Sequence, residues 1–139
     1  MREILFRGKD TRGKWFYGVP LVFPDKHKHV SIFDPQSYNV FVIPETVGQY
    51  TGITDRNGKK IFEGDIVKSL VIYNDRFQDS VKKVTAVYEI KYHEKYCYFY
   101  LAREKNNLLF DGNWDYGVVG FEVIGNIHDN PELLEVDNG

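Results

Sequence analysis

The chain has 139 residues but only one cysteine and one methionine. A single cysteine excludes a disulfide framework and any zinc site built on several thiolates. No apolar run approaches the ~20 residues a membrane helix needs. The opening Met1-Arg2-Glu3-Ile4-Leu5-Phe6 lacks the long apolar stretch of a secretory leader, so a reducing cytoplasm is the expected setting, with no membrane contact. Helical periodicity is almost absent. A phosphate-cradling loop needs Gly-x-x-x-x-Gly-Lys followed by Ser or Thr, and neither Gly13-Lys14 nor Gly58-Lys59 has that context. The dinucleotide fingerprint also fails, with no βαβ unit to hold it. No cofactor is expected.

Aromatic residues, by contrast, make up 16% of the chain, with ten tyrosines and ten phenylalanines, so rigid rings rather than thioethers fill the core and part of the surface. The formal net charge of −2 is unevenly spread. Residues 1–60 carry ten Lys/Arg against six Asp/Glu, and residues 61–139 carry eight against fourteen. Such an asymmetry steers head-to-tail association or an anionic partner if the charges cluster, and does nothing if they are scattered.

Short β-branched and aromatic runs alternate with Gly, Asn, Asp and Pro, which is the pattern of strands and turns. Ile4-Leu5-Phe6 opens a first strand and Trp15-Phe16-Tyr17-Gly18-Val19 returns from the turn at Asp10-Thr11-Arg12-Gly13. Pro20 and Pro24 are expected to limit further pairing. Val30–Phe33 and Asn39–Ile43 read as short strands, and Pro44–Gly48 as a boundary. Asn57-Gly58 predicts a type I′ hairpin turn between Gln49–Ile53 and Ile61-Phe62. In Val84–Tyr92 the residues Val84, Ala86, Tyr88, Ile90 and Tyr92 share one face. A strand over Tyr96–Leu101 places Cys97, Phe99 and Leu101 inward and Tyr96, Tyr98 and Tyr100 outward. Val118–Ile124 is a last strand, and Asn130-Pro131-Glu132-Leu133-Leu134 a single helical turn. The segments Gly8–Gly18 and Gly52–Gly64 echo each other weakly, which shared turn chemistry explains.

These elements predict a mainly β protein: an N-terminal β-hairpin lobe over 1–47, then a small SH3-like, partly open β-barrel lobe over 48–139 that ends in a helical turn. The two lobes can equally form one compact domain.

Few residues carry recognisable chemistry. Cys97 sits among aromatics and is expected to be a buried, inert thiol, too far along a strand from His93 for proton transfer. His27 and His29 are spaced for two metal ligands, but Lys26 and Lys28 beside them oppose a cation, and no metal is expected. His128 reads as a loop histidine bonded to backbone rather than a general base. Glu63 with Asp65, and Asp111 with Asp115 beside Trp114, resemble acid/base pairs of a sugar-acting enzyme, yet turn chemistry explains each as well. The most distinctive surface is the row Tyr96, Tyr98 and Tyr100 with Lys91 nearby, which can stack bases or meet a partner protein. Arg12, Lys14, Arg56, Lys59 and Lys60 at two hairpin tips would add phosphate contacts. The alternative is that the row packs under the N-terminal lobe or against another subunit. A sequence pI of 6.1 speaks against a nucleic-acid binder.

Three stretches carry a family resemblance. They are Met1–Lys9 with Trp15-Phe16-Tyr17-Gly18, then Ile43-Pro44-Glu45-Thr46-Val47-Gly48-Gln49-Tyr50-Thr51-Gly52 through Asp55-Arg56-Asn57-Gly58-Lys59 to Ile61–Val67, and Glu122–Leu134. Together they resemble the YopX family of small phage and prophage proteins. The resemblance implies a mainly β fold, a bacterial host cytoplasm and a homo-oligomer, and it lends no catalytic residue. The function it supports is that of an accessory protein acting by self-assembly or by contact with a host or phage protein. The alternatives are a nucleic-acid-binding module and, third, a small-molecule or sugar enzyme.

Overall fold

A computed structural model describes residues 2–75, 77–103, 108–109 and 118–136 of the chain. It divides into two units, 1–52 and 53–139. The first contains β1 (Phe6–Lys9), β2 (Trp15–Val22), β3 (Val30–Asp34), β4 (Tyr38–Val42), a 3₁₀ turn at Pro44–Thr46, and most of β5 (Gly48–Thr54). The second contains β6 (Lys60–Phe62), β7 (Asp65–Asp75), β8 (Ser80–His93), β9 (Tyr98–Ala102), β10 (Leu108–Leu109), β11 (Val118–Asn126) and the short helix α1 (Leu133–Val136). The strands form two antiparallel sheets, ordered β4-β3-β2-β1-β5-β6 and β10-β9-β8-β7-β11. The protein is mainly β, as its composition predicts, and no barrel closes among the described residues.

Each unit has its own core. In the first, Phe16, Val30, Ile32 and Val42 are buried, with Phe6, Val40 and Val47 packed against them. Gly18 is obligatory there: a Cβ would lie 1.9 Å from the carbonyl oxygen of Phe33, so only glycine lets β2 and β3 approach. The strand also runs on through Pro20, which pairs with Ile32, where the sequence suggested an end. Pairing with β1 ends at Gly18, so β2 is an edge on that side and tolerates the missing N–H. β1 itself starts at Phe6 rather than Ile4.

In the second unit Ile61, Val67, Ala86, Tyr88, Ile90, Leu101 and Phe121 form the core, flanked by Ile53, Phe99 and Val123. The alternation read in Val84–Tyr92 is what selects this set. The β7–β8 hairpin is much longer than the sequence suggested, with pairing from Ile66↔Glu89 out to Asp75↔Ser80. Ser69, Asn74, Lys82 and Lys83 interrupt the apolar pattern there, and long-range register supplies the pairing that local composition hides.

The hairpin at Asn57-Gly58 is not a type I′ turn. Gly58 alone has positive φ, at 82°, and its N–H donates to Asp55 O at 3.0 Å, which makes a type I turn with a glycine bulge. Asp55 imposes this. Its Oδ1 accepts the N–H groups of Asn57 and Lys59 at 2.9 Å each, and its Oδ2 accepts the N–H of Val123 at 3.0 Å. One nearly buried carboxylate thereby holds a hairpin tip and ties it to β11. Asp10 arranges the β1–β2 turn in the same way, accepting from Arg12 and Lys14 at 2.9 Å each, which accounts for the internal echo in the sequence.

Burial alone would raise the Asp55 carboxyl, but the N–H groups of Val123, Lys59 and Asn57 outweigh it and hold the group below the ordinary carboxylate range. A carboxylate lowered on folding stabilises the protein above its unfolded pKa of about 3.9, and that stabilisation is lost as pH falls through the lower, folded value. Asp55→Asn should therefore cost about 2 kcal/mol in urea unfolding at pH 7, the scale of lost charge-assisted hydrogen bonds. The gap to the wild type should narrow in acid below about pH 4. An unchanged midpoint at pH 7 would contradict the role given to Asp55.

Candidate functional site

The tyrosine row forms at the end of the β8–β9 hairpin. Cross-strand partners there are Ile90↔Leu101, Lys91↔Tyr100, Tyr92↔Phe99 and His93↔Tyr98. Ile90 and Leu101 are fully buried, so the two-residue period sends Lys91, His93, Tyr98 and Tyr100 to the opposite face. Tyr96 joins them from the turn. Its N–H donates to His93 Nδ1 at 3.3 Å, which places the ring proton of neutral His93 on Nε2.

The row gathers around His93. The imidazole lies 4.9 Å from the Tyr96 ring, 5.2 Å from Tyr98 and 6.1 Å from Tyr100, centroid to centroid. Tyr96 and Tyr98 are nearly parallel, at 13° and 6.4 Å, and Tyr100 stands edge-on to Tyr98. Lys95 Nζ sits 5.3 Å from the centre of the Tyr96 ring, within cation–π range. Tyr96 is 63% exposed and Tyr98 37%, so the row faces solvent in this chain. His93 itself was read from sequence only as a distant neighbour of Cys97. The signal that marks it is its place in the alternation, two residues beyond Lys91.

Cys97 corrects the sequence reading. β9 begins at Tyr98, and Cys97 is an exposed turn residue with φ of 57° rather than a buried strand residue. The hairpin must close between His93 and Tyr98, and the Cys97 N–H donates to His93 O at 2.7 Å to close it. Its thiol lies 3.5 Å from Glu94 O. A hydrogen bond with Cys97 also pushes the Tyr92 phenol above its ordinary value, helped by partial burial and by the Glu63 and Glu94 carboxylates.

The basic tips fall in both units. Arg12 and Lys14 belong to the first unit, and Lys14 Nζ lies 5.1 Å from the Phe16 ring. In the second unit Arg56 is engaged by Glu122 at 3.0 Å, and Lys59 adds to the field that lowers Asp55. Lys60 opens β6.

The carboxylate pair Glu63 and Asp65 reads as a turn. Asp65 is 1% exposed and its Oδ2 accepts the Phe62 N–H at 2.7 Å, while the flanking Gly64 donates to Ile90 O at 2.8 Å. Asp111 and Asp115, with Trp114, lie outside the described residues. His29 Nδ1 is bonded to Asp25, and the His27 ring lies 5.7 Å from it. The His128 N–H donates to Asn126 Oδ1 at 3.0 Å, within a loop that Asn126 also ties to Asp129. The sequence reading also missed Arg7, which is buried with its guanidinium 4.7 Å from the Trp15 ring centre. Among the described residues, no helix is long and apolar enough to cross a membrane.

A family model described as YopX protein matches the chain over residues 5–135. The chain belongs to the YopX family. That span takes in the β1–β2, Ile43–Val67 and Glu122–Leu134 stretches, so the YopX pattern runs through both units. The crystal structure of protein EF1440 from Enterococcus faecalis is similar, at a TM-score of 0.55 and 26% identity, over 96% of this chain and 99% of that one. No curated protein matches. Within this YopX chain, the best-formed surface cluster is the row around His93.

Glu89 is a carboxylate on the same strand as that cluster. Glu89 shares the face of Lys91 and His93 and pairs with Ile66, which is fully buried. Burial raises its carboxyl above the ordinary value, and Lys91 offsets only part of this. The folded protein then favours the protonated form, and Glu89 costs stability as pH rises from the unfolded value through the folded one. Glu89→Gln should melt at a temperature equal to or above the wild type at pH 7, with the difference gone near pH 3. A lower melting temperature at pH 7 would mean that the folded state uses the charge.

Proposed function

We propose that this YopX-family chain is a phage or prophage accessory protein that works in the host cytoplasm without catalysis, by holding another protein at the β8–β9 hairpin. The observation that carries this reading is the solvent-facing set of Tyr96, Tyr98 and Tyr100 around His93. Tyrosines bring large rigid area at low conformational cost and keep a hydroxyl for a partner's polar groups, which is why they concentrate where proteins meet. Charges of both signs border the cluster, Lys91 and Lys95 against Glu89 and Glu94. A mixed rim suits a protein partner better than a polyanion.

A nucleic-acid reading has one observation in its favour, the nearly parallel Tyr96 and Tyr98 rings with Lys95 over one of them. Fluorescence anisotropy with labelled single- and double-stranded DNA and RNA tests it. No binding at ~100 μM protein, the weak edge of non-specific affinity, would retire it. For the leading reading, tagged wild type and a Tyr96→Ala/Tyr98→Ala variant are compared as baits in lysate from phage-infected host cells. Because both rings are exposed, the variant should stay folded, with stability within about 1 kcal/mol of the wild type. It should lose about 90% or more of the specifically captured protein, roughly what truncating two central aromatics of an interface costs. Equal capture by the two baits would overturn the assignment of this surface.

A further inference from the structure

His93 makes two bonds within its hairpin turn, and only one of them survives a proton. Its backbone carbonyl accepts the Cys97 N–H at 2.7 Å and shuts the hairpin. Its ring accepts the Tyr96 N–H at Nδ1, at 3.3 Å. An imidazole nitrogen accepts only while it carries no proton. Once His93 is charged, both ring nitrogens are donors, and the Tyr96 N–H faces another N–H in place of a lone pair. We propose that His93 is a proton-operated latch on the tyrosine row: the neutral ring holds Tyr96 in place, and the protonated ring releases it.

The groups around the ring act in the same direction. On β8 the same face carries Lys91, two residues back and opposite Tyr100. The turn contributes Glu94, Lys95 and Tyr96, and β9 contributes Tyr98 and Tyr100. Lys95 Nζ lies 5.3 Å from the centre of the Tyr96 ring, and the His93 ring lies 4.9 Å from that same centre. A charged His93 therefore sets two cations against one ring, and their repulsion adds to the lost hydrogen bond. Glu94 acts instead on the Tyr92 phenol, which the alternation places on the other face. Glu89 shares the face of His93 but stands four residues back, about 13 Å along the strand. The imidazolium keeps a partner of its own, the Tyr98 ring stacked at 5.2 Å and 23°, because a ring face attracts a cation. The proton thus exchanges a grip on Tyr96 for a firmer one on Tyr98. The Cys97 bond is untouched, since a backbone carbonyl accepts whatever the charge of the ring. The hairpin stays shut and the change is confined to Tyr96.

The use of this latch rests on the reading of the row as the partner-holding surface. Histidine is the side chain that ordinarily changes charge between about pH 5 and about pH 8, so the row is complete above that range and loses its most exposed ring below it. The test needs no partner. NMR on isotope-labelled full-length protein should find neutral His93 as the Nε2–H tautomer at about pH 8. On acidification to about pH 5, the Tyr96 amide signal should move in step with the His93 ring. Its protection against hydrogen exchange, corrected for the intrinsic pH dependence, should fall about tenfold, the scale of one lost hydrogen bond. The Cys97 amide should keep its protection. His93→Asn removes the titration and keeps an acceptor, as Asn126 Oδ1 accepts the N–H of Asp129 three residues on at 2.9 Å. In that variant the Tyr96 amide should stay still over the same range. The latch is overturned by an Nδ1–H tautomer at about pH 8, by a Tyr96 amide that ignores the His93 titration, or by one that still moves in His93→Asn. None of these readouts uses capture. Equal capture by the two baits would overturn the surface assignment and leave the latch standing, and a Tyr96 amide that ignores the proton would do the reverse.

Discussion

The pairing of Ile90 with Leu101 is the constraint on which the candidate site depends. Both side chains are fully buried, and burying each is worth about 2 kcal/mol. A slip of one residue would bring Lys91 or Tyr100 into that core and turn the leucine or isoleucine to water, so the register is fixed by energies well above the thermal scale. Once it is fixed, His93 stands opposite Tyr98 and Lys91 opposite Tyr100, on the outer face. No interaction within the aromatic row is needed to place it there. The row is positioned by the core behind it, which leaves its own contacts free to be weak and adaptable.

Four of the turns follow a second constraint, a carboxylate at the head of each. Asp10, Asp25, Asp34 and Asp55 each accept at least one backbone N–H two or four residues on. Where the fourth residue of such a turn is Gly13 or Gly58, the left-handed conformation is adopted without a steric cost. At Asp25 the same place falls to Lys28, with φ of 49°. There the backbone N–H of His29 and then its ring hold Asp25 below the ordinary carboxylate range. These turns explain why the four aspartates are occupied with backbone.

The fold class and most of the strand positions were legible because period-two alternation is local. Ala86, Tyr88 and Ile90 announce their common face in five residues, and the core confirms it. What was not legible depended on contacts that leave no periodic trace. Asn57-Gly58 reads as a type I′ turn until the Asp55 carboxylate is seen holding the N–H groups of Asn57 and Lys59. Cys97 reads as buried while Tyr96–Leu101 is taken as one strand, and becomes exposed once the chain must reverse at His93. Pro20 reads as a stop until β1 is seen to end at Gly18. Of the site, Tyr98, Tyr100 and Lys91 lie on the face their spacing predicts, whereas Tyr96 reaches the row from the turn rather than from a strand. The central place of His93 was not legible, because the turn that brings Tyr96 back to it has no periodic signature. The engagement of Arg56 by Glu122 spans 66 residues and equally leaves no local trace.

The outward face of the first unit had a sequence signal of another kind. Trp15 to Val22 is apolar at both alternating sets of positions, with Phe16 and Val22 in one and Tyr17, Val19 and Leu21 in the other. A strand of this sort is covered on two sides, as in a sheet with a layer packed over each face. In the first unit Phe16 is buried in the core, whereas Tyr17, Val19 and Leu21 on the other set are exposed. The β8–β9 face differs in kind: its rings carry hydroxyls, its rim carries charges of both signs, and it sits at a hairpin end. A polar-tipped aromatic surface tolerates water when empty and can meet a partner that comes and goes.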